Sequence, residues 1–210
     1  MAEVINITRL RKNLLKEIAR LKQKKEIIIS KDYEPVAVLS YIGTGKKQKR
    51  LPALMVLGAK KCAGQIALRA INYINRAANN FSKIIFIYSN DTRKYIDKFK
   101  VEDLRTVKNE KRNLPIITSV KCGVSALDAT DEYFIITFLS QPQSEQIYKS
   151  VCDKIKKSKK NILIMRKNGA PAHPIAFSRK YIGIFIKTRK ELGIPHIIKK
   201  FTKEIEYLNA

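Results

Sequence analysis

Side chains that build metal sites and disulfide frameworks are scarce in this sequence. It contains only three Cys and two His among 210 residues. Cys62, Cys122 and Cys152 stand far apart and form no Cys-x-x-Cys pair. Zinc sites and disulfide scaffolds both depend on characteristic ligand spacing, so the sequence predicts neither.

Long hydrophobic runs are missing as well. No apolar stretch approaches the roughly 20 residues that a membrane-spanning helix needs, and the first residues do not form a signal peptide. We therefore expect a cytoplasmic protein with no membrane partner. Apolar residues still make up 45% of the chain, which is enough for a packed core in one large domain or two smaller ones.

Acidic residues are few, because 18 Asp and Glu stand against 43 Lys and Arg and leave a net charge of +25. The positive excess is not confined to a tail. Residues 1–50 contain 13 Lys or Arg and 5 Asp or Glu, and residues 51–210 contain the other 30 Lys or Arg and 13 Asp or Glu. Such a field favours polyanions, including nucleic acid and nucleotide phosphates. The alternative interpretation is a Lys- and Ile-rich proteome whose proteins carry solvated basic faces.

One stretch, Pro115–Pro142, indicates how most of the chain folds. Its second half, 133–139, is an apolar and β-branched run that is typical of a strand buried on both faces of a parallel sheet. Its first half, 115–127, repeats apolar side chains with the period of an amphipathic helix. Because ligands of open parallel sheets lie at the carboxyl ends of the strands, we expect a site at Ser140 and Gln141.

This stretch resembles the MobA-like nucleotidyltransferases, the group that attaches cytidylyl or guanylyl units to the molybdenum cofactor. That family has a small-Ser-hydrophobic-Arg-small-Gly helix, similar to Thr-Ser-Val-Lys-Cys-Gly at 118–123, and then a strand that ends in Asp-Gln-Pro. Here the strand ends in Ser140-Gln-Pro. The segment 169–179 is similar to the family's Gly-His-Pro-hydrophobic-hydrophobic-Phe-Ser segment. The resemblance covers roughly residues 51–208.

The resemblance implies a degenerate nucleotide site. The family's Asp at the strand end holds Mg²⁺ against the triphosphate, and Ser140 brings no negative charge to that position. The family's long phosphate-binding loop is also shortened to 59–64. We therefore expect no catalysis, no metal and no cofactor, but a ligand site that retains a set of polar side chains. That set is Lys60, Lys61, Ser119, Lys121, Ser140, Gln141 and His173.

Alternating strand and helix patterns predict the fold of residues 53–210. Strands are expected at 53–57, 83–88, 133–139 and 161–165, and helices at 65–79, 92–99, 115–127 and 144–158, with a final helix and short strand within 193–208. Residues 100–112 are too charged to assign. Such alternation is typical of α/β proteins, so we expect a three-layer, mostly parallel, Rossmann-like sheet.

Residues 1–42 predict a separate small α+β module. A short strand precedes a helix with Thr8 as its N-cap and a stripe of Leu10, Leu14, Ile18 and Leu21, and two strands follow, 26–30 and 36–40. The pattern Thr-Arg-Leu-Arg-Lys-Asn-Leu, then Ile-Ile-Ile-Ser-Lys and Pro-Val-Ala-Val-Leu, resembles the Phd/YefM-type antitoxins. That family binds palindromic operators as two-fold dimers. The resemblance implies DNA contacts by Arg11 and Lys31, and neighbouring Arg9 and Lys12 belong to the same basic set.

Together these patterns predict two domains, 1–42 and 53–210, joined by a basic linker at 43–52. We interpret the protein as a homodimeric, DNA-binding transcriptional regulator whose second domain binds a nucleotide ligand or a toxin-like protein instead of catalysing transfer. The alternative is an active, Mg²⁺-dependent transferase that uses CTP or GTP and carries an accessory module. A third interpretation is a module that only dimerises and binds no DNA.

Overall fold

The computed structural model describes residues 3–13, 16–17, 26–31, 34–40, 51–60, 62–109, 115–189 and 191–209. Within the chain two compact units are distinguished, residues 1–48 and residues 49–210. Most of the predicted linker lies outside the described residues, as do Lys61 and three positions of the predicted Leu and Ile stripe, Leu14, Ile18 and Leu21.

The smaller unit is a three-stranded sheet with a short helix. Its elements are β1 (Glu3–Asn6), α1 (Ile7–Lys12), β2 (Glu26–Lys31) and β3 (Glu34–Ser40). The strand order is β1-β2-β3, with β1 parallel to β2 and β2 antiparallel to β3. Residues Asn6 and Ser30 are paired at the end of the parallel ladder, so α1 and the last residue of β2, Lys31, leave the sheet at the same edge.

The first helix begins earlier than its sequence predicts. Its N-cap is Asn6, whose side-chain oxygen accepts a hydrogen bond from the backbone N–H of Thr8 at 2.8 Å. The prediction of Thr8 as the cap is therefore wrong. Asn and Thr both favour this position, and here the strand ends so close to the helix that the cap falls on the last strand residue.

The larger unit contains a seven-stranded sheet. Its strands are β4 (Ala53–Gly58), β5 (Ile84–Tyr88), β6 (Leu104–Lys108), β7 (Tyr133–Phe138), β8 (Ile162–Lys167), β9 (Ala170–Ser178) and β10 (Ile205–Asn209). Their order is β10-β8-β9-β7-β4-β5-β6. Each pair is parallel except the two that involve β9, which runs antiparallel to β7 and β8. The prediction of a mostly parallel sheet is confirmed.

Helices cover both faces of this sheet and complete three layers. They are α2 (Gly64–Ala77), α3 (Ile116–Val124), α4 (Glu145–Lys157), α5 (Ile182–Lys187) and α6 (Ile194–Lys200), with 3-10 turns at Ala78–Asn80, Arg93–Lys98, Arg179–Tyr181 and Thr202–Glu204. The core on one face contains buried residues of α2 and α4. The core on the other contains buried residues of α3, α5 and α6. The predicted three-layer α/β class is confirmed.

The central strand β4 shows why the sheet needs helices on both sides. Leu54 and Val56 pack into one core, whereas Met55 and Leu57 pack into the other. Successive side chains of a strand point to opposite faces, and all six residues of β4 are buried. A run that is apolar at every position is stable only when both faces are covered.

Two strands were not foreseen. The charged segment 100–112, which shows no periodic pattern, contains β6, an edge strand whose side chains are exposed or half-buried. The segment around His173, where the sequence pattern predicts no strand, forms part of β9, which is inserted between β7 and β8. The helix expected at 92–99 is a 3-10 helix, Arg93–Lys98.

An ion-pair cluster joins the amino ends of β5, β6 and β7. This amino-edge cluster comprises Lys83, Arg105, Asp128 and Asp131. Lys83 Nζ lies 3.1 Å from Asp131 Oδ2 and also bonds Asp128. Two guanidinium nitrogens of Arg105 donate to the Asp128 carboxylate at 2.8 and 2.7 Å, and one also donates to the Ala126 carbonyl at 3.0 Å. The cluster therefore fixes the loop that follows α3.

None of the helices in the described ranges is both long and apolar enough to cross a membrane.

Candidate functional site: the carboxyl-edge cavity

The chain reverses its direction of travel across the sheet at β4. It runs from β4 to β5 and β6 on one side, and then crosses to β7 on the other side of β4. Open α/β sheets bind ligands in the crevice outside the carboxyl ends of the strands at such a reversal. A cavity of about 300 Å³ lies there, and we name it the carboxyl-edge cavity. Its lining residues are Leu57, Ala59, Lys60, Asn109, Ile116, Ser119, Phe138, Ser140, Gln141 and His173.

The ends of β4 and β7 supply two sides of the cavity. Leu57 and Phe138 are paired across the parallel ladder, and they place apolar surface in the cavity. Lys60 and Ser140 follow these two strands and are exposed, so the cavity combines an apolar floor with a cation and a hydroxyl at its rim. An amphipathic lining of this kind is typical of small-molecule sites.

A buried amide and hydroxyl mark the α3 side of the cavity. Asn109 follows β6, and its Nδ2 donates a 2.8 Å hydrogen bond to Ser119 Oγ. Both side chains are buried, with 5% and 7% exposed. Ile116, also in the lining, begins α3, whose N-cap Pro115 makes no side-chain cap bond. Since the first N–H groups of a helix lack intrahelical acceptors, this end of α3 favours an acceptor such as an anionic oxygen.

The antiparallel strand β9 supplies the remaining wall through His173. Its ring meets the Phe138 ring edge-on, with centroids 4.3 Å apart and planes at 84°. Burial lowers the pKa of His173 below its ordinary value. Its Nδ1 is buried, and no described group bonds it. A hydrogen bond with the Ile136 backbone acts in the opposite sense on the pKa of His173 but does not outweigh burial. The shift favours the uncharged imidazole, which offers the cavity a polar ring.

Five of the seven predicted ligand residues lie in this lining: Lys60, Ser119, Ser140, Gln141 and His173. Lys121 does not line it. Lys121 is two positions beyond Ser119 on α3, and two helical residues turn through about 200°, so the two side chains face opposite ways. Lys61 lies outside the described residues.

Asn109 is the polar lining residue that the sequence did not reveal. It sits at the end of the charged segment that gave no periodic pattern, and no motif includes it. Its backbone N–H donates to the Tyr88 carbonyl at 2.8 Å, which extends the β5–β6 pairing by one residue. Recognising β6 as a strand would have placed Asn109 at a carboxyl end, where ligands bind.

The lining does not fit a divalent metal ion. Mg²⁺ in proteins is held by oxygen ligands that include one or two carboxylates. The lining residues include neither Asp nor Glu, and the part of the chain that the structure describes has no cluster of three or more His, Cys, Asp or Glu suited to a metal. The oxygen atoms that could coordinate a metal here belong to neutral hydroxyls and amides, and the positive charge of Lys60 would repel a cation.

Three carboxylates elsewhere in the larger unit, those of Asp91, Asp103 and Asp131, do not converge on the cavity. Asp131 is buried against Lys83 in the amino-edge cluster, and Asp103 precedes β6 at the same edge of the sheet. Asp91 follows β5 at the carboxyl edge but is not in the lining. Hence none of the three replaces the missing acid at Ser140.

A second cavity adjoins the first. It measures about 570 Å³, and Gln141 and His173 line both cavities. Its other lining residues are Pro142, Gln143, Ser144, Ile147, Met165, Lys167, Pro171 and Ala172. The two shared side chains therefore separate two adjoining ligand-sized spaces.

In the smaller unit, Arg9, Arg11, Lys12 and Lys31 are exposed. Arg9 Nε donates to Glu17 Oε1 at 2.9 Å, and Glu17 is only 2% exposed. Arg9 thus forms an intramodule ion pair. The backbone brings the end of β2, with Lys31, to the edge from which α1 departs.

Solved structures resemble the larger unit. Rv0371c from Mycobacterium tuberculosis H37Rv, also solved with manganese, matches with a TM-score of 0.61 and 16% identity over 76% of this chain and 88% of that one. The 4-diphosphocytidyl-2C-methyl-D-erythritol synthase of Anaerococcus prevotii matches with a TM-score of 0.60 and 13% identity over 77% of this chain and 89% of that one. A nucleotidyl transferase from Methanothermobacter matches with a TM-score of 0.58 and 11% identity over 76% of this chain and 87% of that one.

The larger unit has a nucleotidyltransferase-like fold. That part of the expected resemblance is confirmed, because the matches cover about three quarters of this chain and most of each neighbour. No protein-family model and no curated protein matches the sequence. At identities of 11 to 16% the likeness extends to the fold alone.

Proposed function

We propose that residues 49–210 bind a nucleotide in the carboxyl-edge cavity. The supporting observation is that side chains from separate parts of the chain, the ends of β4, β6 and β7 together with α3 and β9, converge on one cavity at the point where the strand order reverses. Lys60 and the start of α3 suit a phosphate, and the apolar surface of Leu57 and Phe138 suits a base.

Thermal unfolding of the full chain with cytidine and guanosine nucleotides tests this proposal. A bound ligand raises the unfolding midpoint by an amount that increases with its concentration and its affinity. We therefore expect at least one nucleotide to raise the midpoint, and the measurement is made both with and without a chelator. Gln141→Ala should remove most of the shift, whereas Gln146→Ala, at an exposed site on α4 outside the lining, should not. No shift with any nucleotide would overturn the proposal.

A second candidate is Mg²⁺-dependent transfer of a cytidylyl or guanylyl unit to a pterin cofactor, which requires ligands for the ion from outside the described lining. The adjoining cavities favour it, because a transferase needs space for a nucleotide and for an acceptor, and Gln141 and His173 stand between the two spaces. A structural neighbour has been solved with manganese. Release of pyrophosphate from CTP or GTP that requires both Mg²⁺ and the acceptor would establish this function and refute a purely binding role.

For the smaller unit we propose an antitoxin-like role, in which a homodimer binds operator DNA and regulates transcription. A toxin-like protein is the alternative partner proposed for the larger unit. Exposure of Arg11, Lys12 and Lys31, and the departure of α1 and Lys31 from one sheet edge, support this proposal. Cations that project from one edge can contact neighbouring phosphates, and Arg can also bond a base edge.

A gel shift with the DNA upstream of the protein's own gene tests the DNA-binding proposal. Arg11→Ala together with Lys31→Ala should abolish the shift, and affinity of the unaltered chain should fall steeply with salt. Lys16→Ala, another exposed cation of the same unit, is the matched control. Equal binding by the double variant and the unaltered chain would show that these two residues do not contact DNA.

A further inference from the structure

The ligand of the carboxyl-edge cavity has to be neutralised by the lining itself. A nucleoside triphosphate ordinarily enters protein sites with Mg²⁺, because the ion offsets its dense negative charge. The described lining offers no carboxylate that would hold that ion. Among the described residues, the groups that can offset a ligand's negative charge are therefore one cation, hydroxyls and amides.

We propose that the cavity binds a nucleoside monophosphate without a divalent cation. This inference rests on the nucleotide-binding function proposed above and narrows it to one phosphate group. A nucleoside monophosphate carries a base and sugar for the apolar surface and a single anionic group for the polar rim.

Lys60 sets the charge balance. It is the one Lys or Arg among the described lining residues, and it lies just beyond β4 at the rim. Burial lowers the pKa of His173, which disfavours a positive charge on its ring. One cation, together with the Ser119 hydroxyl and the start of α3, suits a single phosphate group. The described lining holds no further cation for the β- and γ-phosphates of a triphosphate.

Ser119 is held ready to donate to the phosphate. Its oxygen accepts the Asn109 amide at 2.8 Å, so its own hydrogen is directed to another acceptor. Both partners are more than nine-tenths buried, and burial fixes their positions. Because a buried hydroxyl that gains an anionic acceptor forms a strong bond, this pair favours a ligand oxygen near the start of α3.

The size of the cavity agrees with a small ligand. Its volume of about 300 Å³ is at the lower end of the range of about 300 to 1,000 Å³ for ligand sites. Leu57, Ile116 and Phe138 provide apolar contact, and the Gln141 amide offers both donor and acceptor groups to the edge of a base.

Calorimetric titration of the full chain with CMP, GMP, CTP and GTP, each in chelator and in Mg²⁺, tests the inference. A monophosphate should bind in chelator, Mg²⁺ should leave its affinity unchanged, and the triphosphates should bind no more tightly. A triphosphate that binds at least about tenfold more tightly in Mg²⁺ would overturn the inference but leave nucleotide binding intact. Failure of all four ligands to bind would overturn both proposals.

Two variants sharpen the titration. Lys60→Met should weaken monophosphate binding about tenfold or more, since a charge-assisted hydrogen bond is lost, whereas Lys149→Met, at an exposed site on α4, should not weaken it. Ser140→Asp should lower monophosphate affinity in chelator, because it adds a negative charge at the exposed rim. Full affinity in both cavity variants would contradict the assigned site.

Discussion

Lys83 is a buried cation whose Nζ meets two carboxylates. Its side chain is 6% exposed, and that of Asp131 is 3% exposed. Burial alone would lower the pKa of Lys83, but its hydrogen bonds to Asp128 and Asp131 raise the pKa above its ordinary value. Such pairs matter because removing one member leaves a desolvated charge without a partner.

Lys83→Met should therefore lower the free energy of unfolding by about 3 kcal/mol, measured by urea denaturation. The double variant Lys83→Met with Asp131→Asn should recover much of that loss, since the buried charge is also removed. If the single and double variants are equally unstable, the loss arises from packing rather than from the unpaired carboxylate.

Asp128 makes stability depend on pH in the acid range. Its hydrogen bonds from Arg105, and then from Lys83, hold the pKa of Asp128 far below its ordinary value of 3.8. A carboxyl with a lowered pKa stabilises the folded state above that ordinary value, and the stabilisation is lost as pH falls. The free energy of unfolding should therefore decrease below about pH 4.

Asp128→Asn should flatten this dependence between about pH 4 and pH 2. It should not abolish the dependence, because the pKa values of Glu204 and Glu206 are also lowered by hydrogen bonds from lysines. Urea denaturation at a series of pH values measures how the free energy of unfolding changes with pH in the variant and in the unaltered chain. Parallel curves for the variant and the unaltered chain would show that Asp128 does not couple folding to protonation.

The sequence revealed lining residues where a motif carried them. Ser119, Ser140, Gln141 and His173 lie in segments that resemble a known family, and the motifs of those segments predict that these residues bind a ligand. Asn109 belongs to no such segment, and its position depends on pairing between β5 and β6. Because β5 and β6 are separated along the chain, their pairing is a long-range contact that no local sequence pattern predicts.

At the scale of elements, close approach between β4 and β5 depends on the residue that ends β4. A Cβ on Gly58 would lie 2.4 Å from Cε2 of Phe86 and 3.3 Å from the Ile87 carbonyl oxygen. Phe86 is fully buried, so its ring has little room to move in a close-packed core.

Gly58→Ala should therefore lower the free energy of unfolding by about 1–3 kcal/mol, and because Leu57 and Ala59 line the cavity it should also weaken nucleotide binding. Gly183→Ala is the matched control. It lies in α5, where nothing is within 4 Å of an added Cβ, and it should be neutral or slightly stabilising. Urea denaturation and titration of both variants decide between local crowding and a general effect of removing glycine.

Elements with an unbroken apolar pattern were predictable, and elements at the margins were not. Strands β4, β5 and β7 are buried on both faces and read as continuous apolar runs. Strand β6 lies at a sheet edge with exposed or half-buried side chains, so its sequence is that of a polar segment. Strand β9 contains two prolines, and several of its first residues are small. Pro is rare within strands, so this sequence resembles that of a loop.

At the scale of the whole molecule, the two units differ in how much core each can bury. The larger unit has two buried clusters, one on each face of its sheet. The predicted small module, residues 1–42 of the smaller unit, is close to the size of about 40 residues below which domains usually need oligomerisation or another support. Independent stability is therefore expected of the larger unit, and dimerisation is expected to accompany folding of the smaller one.

A chain of residues 49–210 should consequently fold by itself and bind the same nucleotide with unchanged affinity. Thermal unfolding and calorimetric titration of this fragment, beside the full chain, provide the measurement. An insoluble fragment, or one that binds much more weakly, would show that the larger unit depends on residues 1–48.

Helix α3 links the two edges of the large sheet. Its first turn borders the cavity, and the loop beyond its last turn is gripped by Arg105 through the Ala126 carbonyl and the Asp128 carboxylate. This helix of nine residues is therefore fixed in position beyond its carboxyl end. The cavity wall is therefore preorganised, and a ligand that enters it forfeits little conformational entropy in ordering that wall.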